Sequence, residues 1–175
     1  LDGYGTQKFN AAYAFEGAAG TITEAKDLTG VNISHYAEVN FSALIDLVDV
    51  IGGVEVDVPE LIDDPKAGNV VIEPGLQKLD GEAALVFARS REYADGDFTR
   101  TSNQRLLIEA IMNKVLSLSA SELPAAIQSA ANCVTTDLNA TDLLSLATQL
   151  QGASGLTLYS AVVPSDVTMQ NGVSY

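Results

Sequence analysis

Cationic side chains are scarce in this 175-residue chain. Nine lysines and arginines face 23 aspartates and glutamates, for a formal charge of -14 at pH 7 and a pI near 4.1. Nucleic-acid binding normally rests on a broad basic surface, so this balance argues against a DNA-binding regulator; an anionic ligand would need a local site. The single cysteine, Cys133, excludes an internal disulfide, and its setting in SAANCVT reads as apolar core. The single histidine, His35, has no cysteine or second histidine beside it, which argues against a metal ligand there. No run approaches the roughly 18 apolar residues of a membrane-spanning helix, and no signal peptide is present. Internal repeats, low-complexity tracts and linkers are lacking too.

What is present suits one ordinary domain with a substantial core, since 47% of the residues are hydrophobic. Leu1 is not a natural start, so the chain is expected to be part of a longer protein. The missing export signal therefore does not argue for the cytoplasm.

Periodicity gives a coarse plan. LDGYGTQKF is a glycine-punctuated loop, and residues 20–28 form a weak helix stopped by Gly30. VNISHYAEVNF reads as a strand, and SALIDLVDVIGG as a helix capped by Ser42 and stopped by Gly52 and Gly53. The strand VEVDV follows. Residues 60–78 read as loop with one short strand in VVIEPG; Asp63 and Asp64, ahead of Pro65, are turn residues, with cation binding as the alternative. Asp80 caps the next helix, and a long helix starts near Asp97 or Phe98, with Leu107, Ile108, Ile111 and Val115 as its inward stripe. Two more helices follow: one over SELPAAIQSAAN, the other capped by Asn139 and Asp142 and buried through Leu143, Leu144, Leu146, Ala147 and Leu150. The chain ends in a strand in LTLYSAVVP and a tail from Ser165. Strand, helix, strand order makes this an α/β domain.

All four arginines, Arg89, Arg91, Arg100 and Arg105, lie in one stretch, FARSREYADGDFTRTSNQR. Guanidinium groups keep their charge and present a planar fork of donors that matches phosphate oxygens, so their clustering in an acidic chain suggests an anion site. Surface ion pairing with Glu92, Asp95 and Asp97 is the alternative. Arg100 and Gln104 are four apart, hence on one face at a helix start, where free N–H groups also favour anions. Arg105 points away and is expected to be solvated. Lys8 is either a solvated charge or a further cation for the same anion.

The chain resembles the LytR-CpsA-Psr family. The matching pieces are GTQKFNAAYAFEG, HYAEVNFSALIDLVDVIGGVEVDVPE, GLQKLDGEAALVFARSR followed by DGDFTRTSNQ, and more loosely TTDLNATDLLSLATQL. The resemblance implies an α-β-α sandwich, a mixed β-sheet packed between helices, incomplete at its N-terminal side. It also implies one domain fragment over residues 1–175, with core motifs in 1–118, helices and a strand in 119–164, and a tail in 165–175.

Its implied activity is that of a phosphotransferase moving an anionic glycopolymer, teichoic acid or capsule for example, from a polyprenyl pyrophosphate carrier to peptidoglycan. The setting would be the outer face of a bacterial cytoplasmic membrane, reached through an N-terminal anchor. Carried over by motif, Lys8, Arg89, Arg91, Arg100 and Gln104 hold the pyrophosphate, and Asp97 joins Arg89 and Arg91 in catalysis by orienting an arginine or the acceptor. Magnesium or manganese is implied as cofactor, with its aspartate ligands upstream and none in this chain, so the fragment alone is expected to be inactive. The polyprenyl tail is expected between the sheet and helices 43–51 and 105–118. Asn103 stands where the family usually has another arginine. A non-catalytic module binding polyprenyl phosphate or wall polymer therefore stays open, as does a pyrophosphatase side activity with water as acceptor.

Overall fold

Alternation in VEVDV sets the centre of the fold. In the computed structural model, which describes residues 7–94, 97–153, 159–161, 168–170 and 173–174, these residues form a strand that buries Val54, Val56 and Val58 and exposes Glu55 and Asp57. The chain divides into two compact units, residues 1–38 with 161–175, and residues 39–160.

The first unit holds helix α1 (Ala11–Thr29) and strand β1 (Ala37–Glu38). Gly17 breaks α1 at φ 63° and ψ -150°, a backbone state essentially reserved for glycine. Gly30 closes the helix in the left-handed region, its N–H donating to the carbonyl of Lys26. The helix thus starts nine residues before the expected Gly20. Residues 31–36 form no strand; β1 is all that remains of the strand expected through VNISHYAEVNF. The Tyr13 hydroxyl donates to the Glu38 carboxylate, and that bond raises the phenol above its ordinary range.

In the second unit, α2 (Phe41–Val50) leads into β2 (Val54–Val58), which pairs antiparallel with β3 (Gly75–Leu79) in the register Val54 to Leu79 through Val58 to Gly75. Asn40, not Ser42, caps α2, its side chain accepting from the Ala43 N–H at 2.9 Å. GLQKL carries too little hydrophobic alternation to predict a strand by itself; pairing with β2 makes it one. Ile72, in the segment expected to be a strand, makes only an isolated bridge to Ile62.

Helix α3 (Gly81–Arg89) follows, capped by Asp80 as expected. It is buried along most of its length through Ala83, Ala84, Val86, Phe87 and Ala88. At Gly81 a side chain would meet the Ile45 carbonyl at 2.4 Å, and the Gly81 N–H donates to Asp49 Oδ1 at 2.8 Å, so α2 fixes where α3 begins.

Helix α4 (Asp97–Ser117) packs on α3 and β2. Its buried stripe runs through Asn103, Leu107 and Ala110, while Ile108 is 61% exposed. Of the expected stripe, Leu107 is buried and Ile111 and Val115 pack partly buried against the core, so Ile108 alone is misplaced; the buried Asn103 takes the face one turn before Leu107. Between the hairpin and helices α2 and α4, Val48, Ile51, Val54, Leu79, Leu107 and Ala110 belong to one buried cluster. A cleft of about 500 Å³ nearby is lined by polar groups, Glu55, Lys78, Asn113 and Lys114 among them.

Helices α5 (Leu123–Ala130) and α6 (Ala140–Gly152), with the short strand β4 (Thr135–Thr136) between them, complete the unit around Leu123, Ile127 and Ala147. The capping box of Asn139 and Asp142 is present, while Leu146 faces solvent. Most of the strand expected in LTLYSAVVP lies outside the described residues. In the first unit's tail, β5 (Met169–Gln170) and β6 (Val173–Ser174) pair antiparallel.

Candidate functional site

Arg89 is the last residue of α3, so the helix buried behind it fixes where its side chain begins. Its guanidinium donates to the Ala67 carbonyl at 2.9 Å and the Lys66 carbonyl at 3.4 Å, and its central carbon sits 4.6 Å from the centre of the Phe41 ring. Carbonyls and a ring face orient a guanidinium without neutralising it. Ser90 breaks the helix in an extended conformation, and Arg91 follows, exposed, with its backbone N–H donating to Asp64 Oδ2 at 3.1 Å.

Helix α4 joins this end of α3 through polar bonds. Gln104 Nε2 donates to the Ala88 carbonyl at 3.0 Å, which satisfies a free carbonyl at the end of α3 and sets Gln104 next to Arg89. Arg100, half-buried, lies one turn earlier on the same face. The structure therefore brings Arg89, Arg91, Arg100 and Gln104 to the junction of the two helices. Gln104 uses a donor there to hold the junction. Asp97 opens α4, and its side chain lies outside the described residues. Lys8 is exposed just before α1, in the first unit.

Arg105 is not solvated as expected. It is half-buried and donates to the carbonyl and hydroxyl of Ser160 and to the Ser102 hydroxyl, fastening the chain at Ser160 to α4. Surface pairing does occur in the stretch, but Glu92 pairs with Lys66, at 3.3 Å.

Three side chains near the arginines, Asp64, Asn103 and Tyr93, are not among the residues expected to hold the anion; Asp64 was expected as a turn residue, with cation binding as the alternative. Asp64 is only 4% exposed. The Arg91 N–H, then the Lys66 N–H and the Ser90 hydroxyl, hold its carboxyl below the usual range despite burial. Asn103 is 1% exposed and donates from Nδ2 to the Tyr93 hydroxyl at 2.8 Å. Tyr93 also bonds Ser90, and burial pushes its phenol up. A buried polar residue at a helical core position was the available signal for Asn103; for Asp64 there was none beyond its place before Pro65.

No three His, Cys, Asp or Glu side chains converge among the described residues. Asp64 spends its carboxylate oxygens on N–H groups. His35 is exposed. Cys133 is half-buried rather than core, its thiol raised by burial and then by Asp46 and directed at the Ser129 carbonyl. No helix among the described residues is long and apolar enough to cross a membrane.

The LytR_cpsA_psr family model matches residues 1–175, the whole chain. This chain belongs to the LytR-CpsA-Psr family. Along its full length it is 35% identical to the polyisoprenyl-teichoic acid–peptidoglycan teichoic acid transferase TagU of Enterococcus faecalis, covering 57% of that protein. Two solved family structures superpose well. TagV of B. subtilis matches with a TM-score of 0.78 and 30% identity, over 87% of this chain and 61% of that one. TagT bound to LIIa-WTA matches with a TM-score of 0.85 and 27% identity, over 100% of this chain and 66% of that one. The α/β family fold expected from the sequence thus holds. The chain spans between 29% and 57% of the length of the first curated relatives it matches.

Proposed function

We propose that this LytR-CpsA-Psr chain is the pyrophosphate-holding part of a phosphotransferase that moves an anionic glycopolymer from a polyprenyl pyrophosphate carrier to peptidoglycan. The observation that carries this reading is Arg89, a guanidinium aimed by carbonyls and a ring face rather than cancelled by a carboxylate, with Arg91 exposed two residues on. The relatives' names support the substrate class: TagU of E. faecalis is a teichoic acid transferase acting from a polyisoprenyl carrier to peptidoglycan.

In the transfer, a sugar hydroxyl of peptidoglycan forms a new P–O bond to the phosphorus bearing the polymer. The bridging P–O bond breaks, and polyprenyl phosphate leaves. Such transfers need alignment and charge stabilisation more than covalent help from protein. Arg89 and Arg91 hold the pyrophosphate oxygens, Arg100 and Gln104 close the site from α4, and Asp97 orients an arginine or the acceptor. Magnesium or manganese is the metal this chemistry takes, and the outer face of the cytoplasmic membrane is its setting.

Replacing Arg89 and Arg91 together with alanine in the full-length protein is expected to cut polymer transfer by at least about a hundredfold, the usual loss when charge-stabilising donors are removed. Transfer at the original rate would overturn the proposal. Asn103 favours a second reading, a binding module without turnover. It places a neutral amide, turned inward to Tyr93, where the family usually has an arginine. Carrier lipid bound by the full-length protein with no polymer transferred would select that reading.

A further inference from the structure

Asp64 stands out among groups the proposed chemistry does not use. It is a buried carboxylate in a turn, yet no cation answers it; its described partners are N–H groups and the Ser90 hydroxyl. Within its own turn, Oδ1 accepts from the Lys66 N–H at 3.0 Å, while its main-chain carbonyl accepts from Ala67 at 2.9 Å and Gly68 at 3.2 Å. This side-chain turn fixes the direction of the peptide units from 64 to 68. The carbonyls of Lys66 and Ala67 in that turn are the ones that receive the Arg89 guanidinium.

The other carboxylate oxygen, Oδ2, accepts from the Arg91 N–H at 3.1 Å. One carboxylate thereby determines both arginines. It aims Arg89 through the turn's carbonyls, and it pins Arg91 by its own backbone. The turn lies close against the helix, since a side chain at Gly68 would meet Val86 of α3 at 2.5 Å. Ser90, 1% exposed between the arginines, lies beside Asp64 and Tyr93, and the Tyr93 hydroxyl accepts from Asn103 of α4.

We propose that Asp64 is a positioning residue for pyrophosphate binding, holding Arg89 and Arg91 at a fixed separation through the 64–68 turn and the Ser90–Arg91 backbone. The inference rests on the assignment of Arg89 and Arg91 to pyrophosphate. Charge alone would tolerate a loose pair of arginines, whereas simultaneous contact with a compact dianion or trianion needs both forks placed beforehand. A misplacement of about 1 Å is enough to cost up to a hundredfold in such a site.

The test uses the full-length protein and inorganic pyrophosphate, with affinity read by calorimetry and folding by circular dichroism. Asp64→Asn keeps the shape but turns a donor toward the Arg91 N–H. It is expected to weaken pyrophosphate about tenfold or more while the protein stays folded. In an Arg89→Ala/Arg91→Ala background the same substitution should add less than about twofold, because its effect travels through those side chains. A purely structural role for Asp64 would leave affinity unchanged in folded protein, or multiply equally in both backgrounds, and either result overturns the inference. Should Asp64→Asn fail to fold, Ser90→Ala removes the hydroxyl beside the same carboxylate; a loss of about threefold is expected, and unchanged affinity counts against the inference. If the unaltered protein binds no pyrophosphate, the assignment of Arg89 and Arg91 falls and the positioning role falls with it. Binding that depends on Arg89 and Arg91 but not on Asp64 removes only the positioning role.

Discussion

The two ends of α4 are held by the same kind of bond with opposite consequences. At its start, Gln104 donates to the Ala88 carbonyl and Asn103 to Tyr93, and these bonds join α4 to a neighbouring helix end that bears cations. At its finish, the Gln151 amide reaches the carbonyls of Val115, Leu116 and Leu118 at 3.3, 3.1 and 2.9 Å, satisfying the helix terminus over an apolar cluster of Leu123, Ile127 and Ala147. The second arrangement only closes the fold. The first also aims something, because a buried carboxylate and two arginines sit where the helices meet. Polar bonding at a helix end is therefore not itself a mark of function; what it orients decides.

The largest expected effect tests the apolar support of the first end. Phe87, fully buried in α3 two residues before Arg89, should cost about 3–5 kcal/mol on replacement by alanine, read as a fall in the urea midpoint. A cost below 1 kcal/mol, about the value of a lone surface contact, would break the picture of a rigid floor.

Next comes Asp64→Asn, expected to cost about 1–3 kcal/mol at pH 7 through lost and mismatched hydrogen bonds in a buried site. Its sign with pH is set by the depressed carboxyl. The stabilisation is complete above the ordinary value of 3.8 and fades only as pH falls through the lower native value. Urea unfolding of the two proteins should thus differ by a constant amount near neutrality and converge in acid. Divergence in acid would contradict the bonding described at Asp64.

Gln151→Ala sharpens the contrast. It should lower stability by about 1 kcal/mol while leaving pyrophosphate affinity in the full-length protein unchanged, since its carbonyl partners orient no cation. Smallest of all is Lys66→Ala, which removes the exposed pair with Glu92 but keeps the Lys66 carbonyl for Arg89. The expected change is less than about 1 kcal/mol by thermal denaturation.

Much of the plan was legible because local signals agreed. VEVDV, the Asp80 cap, the stops at Gly30, Gly52 and Gly53 and the capping box of Asn139 each carry their reason within a few residues. The misread pieces depend on partners far along the chain. GLQKL is a strand because β2 lies beside it, and Arg105 is bound because Ser160 reaches it. Asn103 looked like a missing arginine, whereas it is the polar member of the buried face of α4, and choosing Gln104 for that face exposed Ile108 in error. At the site, the sequence located the arginines but misjudged what surrounds them. Asp64 read as an ordinary turn residue since nothing local shows that Arg91, 27 residues on, donates to it.

By itself, then, the sequence determined that the arginines gather in one stretch spanning two helix ends, and through its motifs the family to which the chain belongs. Those are properties of order and spacing, which the chain carries before it folds. Tertiary structure alone decided how the cations are aimed. The direction of a guanidinium depends on which carbonyls, ring and carboxylate come within about 3–5 Å of it, and in this protein those groups arrive from residues 41 and 64–67.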